Sequence, residues 1–123
     1  MKKITAIEYF DALTQQFPTL KKEIDELEAL NHIKMEVFAR YTNLQIQKRH
    51  PKEFMRCLVF QESMIDVIPD EIENAMYVSY IESLMLGQFA VQMKKKVATM
   101  PPKLKEKYEE YTTHYYNLGN MQN

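Results

Sequence analysis

The residue types that most often carry chemistry are sparse and scattered in this chain. Its three histidines, His32, His50 and His114, lie far apart, and no His-Glu-x-x-His or Glu-x-x-His spacing occurs. Glu110 and His114 are four apart and can share a helix face, but two donors do not make a metal site. The serines Ser63, Ser79 and Ser83 lack a Gly-x-Ser-x-Gly elbow, and no local signature pairs one with a histidine. Cys57 is the only cysteine, so an internal disulfide is excluded. Flanked by Arg56, Leu58, Val59 and Phe60, it reads as a small buried hydrophobe. With only Gly87 and Gly119, no glycine-rich loop is available to cradle a phosphate. The expectation is a chain that is not an enzyme, with no catalytic residue, metal ligand or cofactor to name.

Charge is the stronger signal. The net charge is −1, yet residues 57–93 hold six acids and no Lys or Arg, while residues 94–123 hold six lysines against three glutamates. Segregated charge of this kind steers oppositely charged partners. Glu62, Asp66, Asp70, Glu71 and Glu73 are therefore the candidate partner-binding residues, facing a basic protein. Glu82 stands inside an apolar run, where an unpaired buried charge would be costly. It is expected on a narrow exposed edge or paired with Arg40 or Arg56. A ligand or enzyme site is the alternative there, using Glu82 with Tyr77 or Tyr80 and an arginine from the third or fourth helix. The lysines Lys94, Lys95, Lys96, Lys103, Lys105 and Lys107, followed by tyrosines from Tyr108, form a second candidate patch for nucleic acid or an anionic surface. Scarce arginine and a pI near 6.3 argue against nucleic acid.

These groups must be positioned by helices. Pro18, Pro51, Pro69 and the pair Pro101-Pro102 separate apolar segments of helical period and read as helix starts. The first helix is expected from Thr5 to Phe17, with Thr5 and Glu8 at capping-box spacing and Ile7, Phe10, Leu13 and Phe17 inward. The second begins near Pro18 and presents Leu20, Ile24, Leu27 and Leu30. The third covers Ile33 to Arg49, with Ile33, Val37, Tyr41 and Leu44 inward. A fourth covers Pro51 to Ile68. The fifth, Pro69 to Leu86, is apolar nearly all round after Asn74 and reads as the central helix. Gly87 caps or kinks it before a segment at Gln88–Val97. The last, from Pro102 to Leu118, carries Leu104, Tyr108, Tyr111, Tyr115 and Leu118 on one face, with Tyr116 alongside and Gly119 as its cap.

No segment alternates like a strand. The chain length suits one domain, giving an all-α fold over 1–123 with an ordered core from about 5 to 118. Five to seven helices are expected, as a closed bundle or as stacked helical hairpins. Lys2 and Lys3 imitate a secretory start, but Glu8 and Asp11 interrupt it, and no apolar run spans a membrane. The expected compartment is the cytoplasm.

The run Glu73-Asn74-Ala75-Met76-Tyr77-Val78-Ser79-Tyr80-Ile81-Glu82-Ser83-Leu84 resembles the signature of a family of small, uncharacterised bacterial helical proteins, a domain of unknown function. Phe17-Pro18-Thr19-Leu20 and Pro101-Pro102-Lys103-Leu104 are similar to the same family, so the likeness spans Thr5 to Leu118. The resemblance implies a helical build and makes Asn74, Ser79 and Glu82 the polar positions of the motif, tying the central helix to its neighbours. By analogy the family looks like immunity proteins, which block a toxin by binding it. The expected function is a non-catalytic protein-interaction module acting through its acidic helical surface, with another protein as partner and self-association left open.

Overall fold

The computed structural model describes residues 2–121, the side chains of 116–121 excepted. The fold is all-α, with no strand among the described residues. In chain order the helices are α1 (Ala6–Gln16), α2 (Lys21–Glu26), α3 (Asn31–Gln47), α4 (Pro51–Met64), α5 (Asp70–Ala75), α6 (Glu82–Leu86), α7 (Ala90–Lys96) and α8 (Pro102–Met121). Short 3-10 turns at Pro18–Leu20 and Val97–Thr99 lead into α2 and out of α7. A π-helical segment, Met76–Ile81, joins α5 to α6 without a break.

Local chemistry sets the boundaries. Thr5 Oγ1 accepts from the Glu8 amide at 3.1 Å, and Glu8 Oε1 accepts from the Thr5 amide at 3.0 Å. This reciprocal cap starts α1. Proline opens α4 and α8, where its missing N–H costs nothing. Two residues take left-handed backbone angles, Glu28 (φ 50°) after α2 and Arg49 (φ 57°) between α3 and α4. Both reverse the chain without glycine. Gly87 is needed for another reason: its φ is −75°, but a side chain there would collide with the Ser83 carbonyl oxygen.

One continuous core holds the helices together, as in a closed bundle. The helix α5–π–α6 runs through it, packed on α3 on one side and on α8 on another. Ile72, Ala75, Met76, Tyr80, Ile81 and Leu84 are buried. Phe17, Phe38, Phe60 and Tyr80 form a chain of ring contacts with centroids 5.1–5.9 Å apart. Polar groups inside the core are matched. The Tyr9 hydroxyl donates to Gln61 Oε1 at 2.6 Å, and the Tyr80 hydroxyl lies 2.8 Å from Thr42 Oγ1.

Several inward assignments change. Ile7, Leu30 and Ile33 are exposed. The buried face of α3 is Met35, Phe38, Thr42 and Gln45, with Val37 and Ala39 beside it. Thr42 and Gln45 can face inward because each hydrogen-bonds a carbonyl one turn back, Phe38 O and Tyr41 O. The second helix ends at Glu26 rather than near Leu30. Gly119 does not cap the last helix, which continues to Met121. The side chains of Tyr116 and Leu118 lie outside the described residues.

Candidate functional site

Three acids turn toward α8: Glu62 on α4, Asp66 in the turn that follows and Glu73 on α5. Glu62 accepts from two backbone amides at the start of α8, Lys103 N at 3.1 Å and Leu104 N at 2.7 Å. The carboxylate thereby satisfies free N–H groups and meets the positive end of the helix dipole. Asp66 pairs with the Lys103 ammonium, and Glu73 pairs with Lys107 at 3.1 Å. Hydrogen bonding to Lys103 holds the Asp66 carboxyl below its usual range. Three of the five candidate partner-binding acids, Glu62, Asp66 and Glu73, are thus spent on fixing α8. Asp70 and Glu71 remain exposed at the start of α5.

A second set of contacts ties α8 to the central helix. The Tyr111 hydroxyl donates to Glu82 at 2.8 Å, and the Tyr77 hydroxyl donates to Glu110 at 2.9 Å. The two rings stack with centroids 6.2 Å apart. Burial, then the hydrogen bond to Glu82, pushes the Tyr111 phenol up to about 12. Glu82 is half-buried and meets neither expected arginine: Arg40 pairs with Glu23 at 3.0 Å, and Arg56 with Glu53 at 2.8 Å. Tyr80 is fully buried against Thr42, and Tyr77 faces α8. Glu82 is therefore not joined at one site by Tyr77 or Tyr80 and an arginine; its tyrosine partner is Tyr111. Only Arg40 shares a cavity with Glu82.

On the opposite side the motif meets α3. His32 Nδ1 lies 2.9 Å from Ser79 Oγ, and His32 Nε2 lies 3.5 Å from Asn74 Nδ2. Residues five apart on an α-helix point about 140° away from each other. The wider i to i+5 geometry between Met76 and Ile81 turns Ser79 back toward the side of Asn74. A serine and a histidine are therefore adjacent here with no sequence signature for it. Ser79 is buried, so this pair works as a tie between helices.

The open side of the same helix is a groove of about 660 Å³ between α3, α6 and the turn at Gly87–Phe89. Its chemistry comes from Glu36, Arg40, Asn43, Glu82, Val78 and Leu86. Val78 is 42% exposed and Leu86 48%. Asn43 donates from Nδ2 to Ser83 O over 3.5 Å, and its Oδ1 is the only buried side-chain polar atom among the described residues without a hydrogen-bond partner. Glu36, in contrast to Arg40, has no ion-pair partner among the described residues.

Cys57 is buried, and that burial pushes its thiol up to about 12. Among the described residues no group of three His, Cys, Asp or Glu side chains could hold a metal ion, and no helix is long and apolar enough to cross a membrane. A family model covers residues 10–117, from α1 nearly to the end of α8. The chain belongs to the domain of unknown function DUF7674. The segment Glu73–Leu84, with its contacts to His32 and Tyr111, lies within the matched region. No curated protein and no solved structure matches the chain significantly.

Proposed function

We propose that this DUF7674 chain is a non-catalytic protein-binding module of the immunity-like kind, which holds a partner segment carrying both apolar and basic side chains. The reading rests chiefly on the groove between α3 and α6, where exposed Val78 and Leu86 stand beside Glu36 and Glu82. Apolar area supplies affinity, and flanking carboxylates select a basic partner. The acidic surface expected over 62–73 moves accordingly. Its free members, Asp70 and Glu71, lie at the exposed start of the continuous helix that carries Val78 and Glu82 into the groove. A neutralising complex needs a surface of this type and no reactive group.

The test is co-purification from the native host at physiological salt with the wild-type chain, Val78→Asp and Glu36→Lys. We expect a protein that copurifies with wild type and is lost with either variant, while both variants keep the wild-type melting temperature within a few degrees. Identical sets of proteins with all three chains would contradict the proposal.

A further inference from the structure

The fold joins two basic segments that are some 40 residues apart in sequence. At the corner between α3 and α4 stand Lys48, Arg49 and Lys52, all exposed. At the end of α7 stand Lys94, Lys95 and Lys96. The Lys96 ammonium lies 5.6 Å from the centre of the Phe54 ring, one turn into α4. That contact brings the end of α7 to the start of α4. Residues 44–52 and 83–102 contain no Asp or Glu. None of the six cations is in an ion pair among the described residues. Glu53, beside Lys52, is taken up by Arg56 and the Tyr41 hydroxyl, and in the α7–α8 groove Glu109 lines the wall together with Lys94. Lys103 and Lys107, by contrast, are taken up by Asp66 and Glu73. The lysine-rich stretch therefore divides: its second half fixes α8, and its first half joins the α3–α4 corner.

Cations at the ends of α3 and α7 gain from the helix dipoles, but that accounts for one or two charges at each end, not for all six. We propose that this corner is a binding surface for the phosphate backbone of nucleic acid, without sequence preference. Five of the six cations are lysines, which meet phosphate as point charges, whereas base reading favours the arginine fork. The exposed residues between them are polar or small: His50, Gln92, Ala98 and Thr99. An interfacial membrane helix would present Trp, Phe or Leu there, and the one large apolar side chain at this margin is Val91. Screening over about 8 Å at physiological salt keeps the patch distinct from the acids elsewhere, so a net charge of −1 does not oppose it.

Fluorescence anisotropy with a labelled, mixed-sequence single-stranded 20-mer tests this. We expect binding at 50 mM NaCl that weakens with salt, with a log–log slope of about −3 if four phosphates are neutralised. Lys94→Gln with Lys95→Gln, and separately Lys48→Gln with Lys52→Gln, should each weaken binding at least fivefold. Lys21→Gln with Lys22→Gln changes the net charge equally and should leave affinity within twofold. All these positions are exposed, and circular dichroism checks that each variant is folded. Absence of binding at 50 mM NaCl overturns the proposal. So does an effect confined to one of the two segments, an equal loss with the α2 variant, or binding to phosphatidylglycerol vesicles without binding to the oligonucleotide.

Discussion

Tyr9 and Gln61 show how much depends on single polar groups inside the core. Both are fully buried, and the phenol of Tyr9 donates to Gln61 Oε1. Tyr9→Phe removes the donor and leaves that oxygen shut away from water. We expect a loss of about 1–3 kcal/mol in urea unfolding, measured against Tyr41→Phe, whose partner Glu53 keeps Arg56. Tyrosine ionisation gives a second reading. Burial pushes Tyr41 and Tyr111 up to about 12 and raises Tyr9 and Tyr80 further. Because the fold favours the neutral phenols, their contribution is complete below the unfolded value near 10 and is lost as the pH rises through the raised values. Absorbance at 295 nm should therefore show Tyr9 and Tyr80 ionising only as the protein unfolds in alkali, with Tyr41 and Tyr111 ionising well above pH 10. Four normal titrations near pH 10 in the folded protein would contradict this. Glu82→Gln preserves an acceptor for Tyr111, whereas Glu82→Leu removes it. The second should cost about 1 kcal/mol and the first less.

At the scale of elements, the first two turns of α8 are held by acids from α4, the following turn and α5. Glu62→Ala removes the acceptor for two backbone amides, and we expect about 1 kcal/mol of destabilisation, with faster hydrogen exchange at Lys103 and Leu104. Asp66 gives this attachment a pH dependence. Its folded-state carboxyl lies below the unfolded value near 4, so its contribution is present above that pH and fades as the pH falls through the lowered value. Exchange at the start of α8 should rise on acidification before α3 opens. The starts of α1 and α4 were legible from Thr5, Glu8 and Pro51, because capping and proline act locally, whereas α4 ends at Met64 and not at the expected Ile68. The face of α3 was not, since Thr42 and Gln45 satisfy their polar groups inside the helix and then pack as core. The π segment was also hidden, because nothing in Met76–Ile81 distinguishes it from an apolar α-helix of the same composition.

For the whole molecule, segregated charge was readable from the chain, but its use was not. Opposite runs at 57–93 and 94–107 suggested a surface waiting for a partner. Folding instead brings Asp66 and Glu73 against Lys103 and Lys107, and gives Glu62 to the backbone of α8. Such pairing depends on how α8 lies across α4 and α5, which no residue spacing specifies. The candidate site was partly legible, through Glu82 and the Asn74–Ser79 motif. Glu36, Asn43 and Leu86 were missed as lining residues because they come together only in three dimensions. The acids consumed internally and the groove left open make opposite forecasts about where a partner sits. Photo-crosslinking separates them, with a benzophenone side chain placed at Val78 in one chain and at Asp66 in another, each expressed in the native host. We predict a discrete crosslinked partner from position 78 and none from position 66. A partner captured from position 66 alone would show that the α4–α5 acids, not the α3–α6 groove, form the binding surface.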